Sequence, residues 1–271
     1  VHDLTPLVFP KYFPRGIKGE LKWQIQKFAL VRTSSIIADS MSSKKDIIKF
    51  TGISEKKIEV IYLAAGEQFR KLKNENLKLK IARKYELPEK FALYVGDVTW
   101  NKNLPRLLEA VRKSKIPLVM VGKALVSSDF DKKNPWNQDL LDVQKLAEGN
   151  KNILRVGFVE TADLVQIYNL ATVFVMPSLY EGFGLPILEA MACGCSVITT
   201  KEGSVPEVAG DAALYVDAYN ADSIANGIKE VFANSNLRKK LSDKGLTQSN
   251  KFSWKKTAEE TLEVYKKVLE F

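Results

Sequence analysis

The apolar positions of the chain alternate between two patterns. FALYVGDV, IPLVMVG, NILRVGFV, TVFVMP and CSVITT are short runs of strand length with few polar residues, as in strands buried on both faces of a parallel sheet. Between them NLPRLLEAVRKS, NQDLLDVQKLAEG and TADLVQIYNLA carry helical periodicity. Strands alternating with helices predict a mostly parallel sheet covered on both faces. Upstream, SIIADS, SKKDIIKFTG and KIEVIYL predict a strand, a helix ended by Gly52 and a strand. Residues 19–34 are helical by period, with Leu21, Ile25, Phe28, Ala29 and Val31 mostly on one side. Residues 67–90 are charged, partly helical and ended by Pro88, and are expected to be a hinge into a second unit. The loop KALVSSDFDKKNPWNQ is long and polar, with Trp136 as its one evident anchor. ALYVD reads as a late strand, and the pattern from residue 221 onward is helical.

The stretch that organises the rest is MPSLYEGFGLPILEAMACG, residues 176–194. It reads as the end of a buried strand, a loop with Gly182 and Gly184, and a helix that starts near Pro186 and ends at Gly194. Such a unit leaves free amides and a positive helix end at the carboxyl edge of a sheet, where α/β proteins bind ligands. Glu181 precedes the glycines, and Glu189 is expected in the first helical turn. Amides suit phosphate and carboxylates suit paired hydroxyls, which together suggest a nucleotide sugar. The plainer alternative is a helix-start charge at Glu189 and a solvated loop acid at Glu181.

Composition narrows the classes. The chain has 271 residues, 45% hydrophobic and 27% charged, as a globular protein does, and no run of 18 uncharged apolar residues. No G-x-G-x-x-G follows a strand, which argues against a dinucleotide oxidoreductase. Cys193 and Cys195 are too close for an ordinary disulfide and too few for zinc; reducing, cytoplasmic surroundings fit them. The net charge is +9, and its excess lies in one part: residues 1–90 hold 19 Lys and Arg against 10 Asp and Glu, the remainder 22 of each. Solubility, an anionic membrane surface, an anionic acceptor or nucleic acid would each account for that excess. Residues 19–34, with Lys22, Lys27, Arg32 and Trp23, fit either a packed surface helix or one lying on a membrane.

PSLYEGFGLPILEAMACGCSVITT followed by GSVPEVAGDAALYVD resembles the donor-site signature of the retaining glycosyltransferases of family 4, which have the GT-B fold. The resemblance extends through SMSSKKDIIKFTGISEKKIEVIY, YVGDVTWNKNLPRLLEA, PLVMVG, VGFVETADLVQIYNLA and FSWKKTAEETLEVY, and so covers nearly the whole chain. It implies an α/β chain of GT-B type with two Rossmann-like domains, the first incomplete. Residues 1–73 would be the remnant of the acceptor-side domain, 74–250 the nucleotide-sugar domain, and 251–271 a helix crossing back to the first. VHDLTP, accordingly, reads as the end of a strand and its loop rather than the start of a domain.

The implied activity is transfer of a hexose from a UDP- or GDP-linked donor to an acceptor hydroxyl with retention. Surface polysaccharide or glycoconjugate synthesis is the expected setting, with mannose favoured by HDLTPLVFP. The resemblance places His2, Lys102 and Glu181 in catalysis. It assigns donor binding to Gly96, Lys102, Val159, Leu164, Glu181, Gly182, Phe183, Gly184, Leu185 and Glu189, with Lys102 on the diphosphate, Val159 and Leu164 near the base, Glu189 on the ribose and Glu181 on the sugar. Val159 and Leu164 are equally compatible with a core role. Glu207 corresponds to a Pro-Glu step on the cleft side. An Arg expected beside the diphosphate is absent, with Asp97 and Asn101 at the two positions where it occurs. No metal motif is evident and no cofactor beyond the donor substrate is implied. The implied partners are the nucleotide sugar and a carbohydrate or lipid-linked acceptor, with no nucleic acid. A second chain supplying the rest of the first domain and a peripheral position on the inner membrane face stay open. So do two rivals: a nucleotide-sugar-binding subunit and a GT-B-like epimerase, the latter disfavoured by the single His.

Overall fold

The computed structural model of the chain describes residues 1–73 and 75–269, and all their side chains except those of 75–79. Residue 74 of the expected hinge and residues 270–271 of the expected last helix lie outside it. Eight strands are described: β1 Ile36–Ala38, β2 Ile58–Val60, β3 Ala92–Val95, β4 Leu118–Val121, β5 Ile153–Gly157, β6 Val173–Met176, β7 Val197–Thr199 and β8 Ala213–Tyr215. β1 and β2 pair in parallel. The other six form a parallel sheet in the order β5-β4-β3-β6-β7-β8. The chain therefore runs outward from β3 to β5, then crosses back to set β6 beside β3. Strand order reverses there, opening a crevice beyond the carboxyl ends of β3 and β6.

The unbroken apolar strand runs follow from burial on both faces. In β6, Val173 and Val175 enter one core and Phe174 and Met176 the other. Helices Leu104–Ser114, Gln138–Ala147 and Ala221–Ala233 cover the first face, and Thr161–Leu170 and Leu185–Ala192 the second. Phe174 is fully enclosed. Truncating it to Ala would cost about 3–5 kcal/mol and would unsettle the strand that carries residues 177–184.

Several expectations change. Loop 122–137 has a better anchor than Trp136: Leu125 is fully buried, while Trp136 is 38% exposed and donates Nε1–H to the Pro14 carbonyl at 3.0 Å. Leu72 and Tyr85 of the expected hinge both bond to helix Thr161–Leu170. The Leu72 amide donates to Asn169 Oδ1 at 2.7 Å and the Tyr85 hydroxyl to Asp163 at 2.7 Å. Helix Gly16–Arg32 forms, yet it buries none of its residues. Leu21, Ile25, Phe28 and Val31 are 46–63% exposed. Its inward side offers only Trp23 and Leu30 to a small core of Leu4, Ile36, Ala38, Ile47, Ile53 and Ile58. A two-stranded sheet has no apolar surface left to cover the outer side.

Helix Met41–Thr51 follows its local signals. The Ser40 hydroxyl accepts from the Ser43 amide at 2.9 Å, and Gly52 ends the helix at φ +74°. The last helix, Trp254–Leu269, returns to the first unit: Thr257 Oγ1 donates to the Tyr62 carbonyl at 2.7 Å and Lys267 reaches Glu59 at 3.2 Å. No described helix is long and apolar enough to cross a membrane.

Candidate active site

Two loops meet at the crevice. The loop after β3 ends in a tight turn, Trp100–Lys102, and Asn103 at φ +60° starts the next helix. The loop after β6 carries residues 177–184. They are stitched together through the main chain. The Leu179 amide donates to the Asn101 carbonyl at 2.7 Å and Asn101 Nδ2 to the Tyr180 carbonyl at 3.0 Å. Asn103 Nδ2 spans the Pro177 and Ala218 carbonyls at 2.8 and 2.7 Å. Asn101, which stands where an Arg was expected, is thus a buried splice between loops.

This splice brings Lys102 and Glu181 together. The ammonium donates to both carboxylate oxygens at 2.8 Å. The side chains are 20% and 8% exposed, so the pair is shielded on most sides. Ser204 holds the loop from below, its hydroxyl donating to the Glu181 and Phe183 carbonyls at 3.0 and 2.8 Å. Gly182 lies against the opening segment: a Cβ there would come within 2.7 Å of the His2 carbonyl oxygen and of Asp3 Cβ. At the carboxyl ends of the strands a Cβ on Gly122 would run into the Gly96 carbonyl oxygen, so only glycine lets these strand ends close up.

The other expected residues divide. His2 sits beside the loop through its main chain, since its carbonyl accepts from Ser43 Oγ at 2.7 Å and the same hydroxyl reaches the Gly182 carbonyl at 3.4 Å. Its imidazole is 87% exposed, with Nδ1 3.1 Å from Asp39, whose carboxyl is raised by burial. Gly184, at φ +103°, precedes helix Leu185–Ala192. Glu189 is not in the first turn of that helix, because the helix begins at Leu185 and its first turn holds no acid. One turn further in, Glu189 accepts from the Tyr168 hydroxyl at 2.9 Å, and burial raises its carboxyl above the ordinary range. Phe183 turns inward between Tyr62 and Phe252, with ring centroids 6.1 Å from each. Val159, Leu164 and Leu185 pack in the same core.

Glu207 has a role the sequence did not suggest. Its carboxylate accepts from the Met41 and Ser42 amides at 2.7 and 2.8 Å and from the Tyr62 hydroxyl at 3.2 Å. A residue of the second unit thereby caps a helix of the first. Tyr180 forms a companion link, donating its hydroxyl to Asp46. Among the described residues no cluster of three or more His, Cys, Asp or Glu side chains could hold a metal ion.

The crevice therefore offers a shielded cation paired with one carboxylate, Glu181, and amides at a glycine-lined helix start, while Glu189 is turned to Tyr168. Such a set suits a phosphate beside a polyhydroxylated group. Comparison with known proteins gives the family and the fold. The family model described as "Glycosyl transferases group 1" matches residues 78–248. The O-antigen chain mannosyltransferase B of Escherichia coli is 30% identical over 274 residues, covering 98% of this chain and 68% of that protein. The serotype-specific mannosyltransferase WbdA of Escherichia coli is 29% identical over 281 residues, which are 99% of this chain but 33% of that one. The fold is shared with Alr3699/HepE from Anabaena, solved with UDP and glucose, at a TM-score of 0.80 and 19% identity over 98% of this chain and 70% of that chain. The fold is thus the α/β arrangement of GT-B glycosyltransferases, and the chain belongs to the group 1 glycosyl transferases.

Proposed function

We propose that the chain transfers a hexose, with mannose first in line, from a UDP- or GDP-linked donor to an acceptor hydroxyl of a growing surface polysaccharide, with retention at the anomeric carbon. The observation that carries this reading is the Lys102–Glu181 pair at the crevice beside the start of helix Leu185–Ala192. Mannosyltransferase relatives support the sugar. In this reading Lys102 and the amides of 182–185 meet the diphosphate as charge develops on the leaving group. Glu181 turns toward the sugar hydroxyls, and Glu189 takes the ribose. The bond from the anomeric carbon to the phosphate oxygen breaks while the acceptor oxygen bonds to the same face. The acceptor proton passes to the departing phosphate. Neither step requires a divalent ion.

Residues 1–73 then belong to the acceptor side and 74–250 to the donor side, with 251–271 tying them. The bare face of helix Gly16–Arg32 supports a requirement for further polypeptide over the acceptor side. The test is a thermal-shift panel of nucleotide sugars, since a ligand at about 100 times its Kd adds about 2.7 kcal/mol of stability. GDP-mannose or UDP-hexose should raise Tm in the wild type and not in Lys102→Ala. A flat response to the whole panel would sink the reading.

A further inference from the structure

Beside the crevice lies a second concavity of about 780 Å³, a volume typical of small-ligand sites. Tyr12, Trp100, Arg106, Glu109, Asp139 and Tyr219 are among the residues that line it. Trp100 and Leu179, which also lines it, each stand two residues before Lys102 and Glu181, so the two loops that form the crevice also form this wall. The first segment supplies the other wall. Tyr12 lies flat on Trp100, with ring centroids 3.7 Å apart and planes at 11°. Tyr219 is 58% exposed, with the Arg106 guanidinium 5.9 Å from its ring centre.

The charges are mixed. Arg106, Arg112 and Lys145 bring donors, and Glu109 and Asp139 bring acceptors, into one wall. A polyanion such as a nucleic acid or a phosphate chain would meet two carboxylates there. A neutral ligand with hydroxyls that donate and accept would meet a partner in either direction, and exposed aromatic rings offer flat apolar faces. Asp139 faces Arg106 and Asp142, and burial pushes its carboxyl up to about 6. A hydroxyl brought to that half-buried group would supply solvation it lacks.

We infer that this concavity is a carbohydrate-binding site separate from the donor crevice, which holds several sugar units of the polysaccharide next to the place of transfer. The inference rests on the glycosyltransferase reading for the source of the glycan and not for the chemistry of the site. Tyr12 belongs to the first segment and Tyr219 to the second unit, so a bound glycan would bridge the two.

The test titrates the purified chain with neutral tetrasaccharides, α-linked manno-, gluco- and galacto-, by isothermal calorimetry and saturation-transfer NMR. It compares wild type with Tyr219→Ala and Asp139→Asn and runs the nucleotide-sugar thermal shift alongside. One tetrasaccharide should bind the wild type, and Tyr219→Ala should weaken it roughly fivefold to tenfold, the scale of one aromatic contact. Asp139→Asn should weaken it as well, while the nucleotide-sugar shift stays as in wild type. Equal binding to wild type and both variants would overturn the inference, because the glycan then sits elsewhere. So would a wild type that responds to nucleotide sugars and binds none of the tetrasaccharides. Loss of the nucleotide response alone would count against the proposed function and leave the glycan site standing.

Discussion

Lys102→Ala should separate the two roles of one ion pair. The ammonium now sits 2.8 Å from each Glu181 oxygen, with the carboxylate side chain 8% exposed and the lysine 20% exposed. Removing one partner of a buried pair costs about 3–5 kcal/mol, because the other charge is left without compensation. The lysine's contact with water reduces this to about 2 kcal/mol. For a chain of this size that is a fall in Tm of roughly 4–8 °C. Turnover should fall about 10²–10³-fold, the usual loss when one preorganised group facing a developing anion is removed.

The informative variant is the double one, Lys102→Ala with Glu181→Ala. It no longer buries an unpaired carboxylate, so most of the lost stability should return. Turnover should not return, since both groups assigned to the donor by the proposed function are gone. The assays are scanning calorimetry and donor turnover in the presence of acceptor, on the same preparations. Turnover above a third of wild type in the single variant, or recovery of turnover in the double one, would refute the catalytic role. A single variant as stable as wild type would refute the electrostatic argument.

Further predictions concern the frame and the medium. Glu207→Ala uncaps helix Met41–Thr51 and should cost about 1–2 kcal/mol, with faster hydrogen exchange at the Met41 and Ser42 amides; unchanged exchange would remove the cap from the account. Gly182→Ala drives a methyl into the His2 carbonyl and should loosen residues 2–5 and lower donor affinity, both read by exchange and thermal shift. Asp139 binds its proton more tightly folded, at about 6, than unfolded, so it contributes stability at low pH that is lost as pH rises from about 4 through 6; Asp139→Asn should flatten that slope and raise Tm at pH 7. Transfer should persist in excess EDTA, and its abolition would require a metal step.

The layered architecture was legible because burial on both faces writes itself into strand composition. The TVFVMP run leaves no polar side to point at solvent, and the fold sends its residues alternately into two cores. Lys102 and Glu181 could be named separately, each from its own loop. Their pairing depends on Asn101 and Asn103, whose partners lie 74 to 115 residues away, and a lone Asn in a loop gives no sign of that. Ser204, and the capping role of Glu207, were opaque for the same reason, since both act on main-chain groups that carry no sequence signal. Glu189 falls just past the first turn because the helix already starts at Leu185, one residue ahead of the Pro186 signal. Periodicity gave helix Gly16–Arg32 an apolar side. Which way that side faces depends on how much sheet is there to receive it.

The strap formed by Phe9, Tyr12 and Phe13 on Trp100 and Trp136 has an optical consequence. Two of the four tryptophans report on the same seam, and neither can keep its neighbours if the opening segment lifts away. Their emission should redden and change in yield together as that segment swings out. Any displacement of that segment would thus be readable in stopped flow without a label.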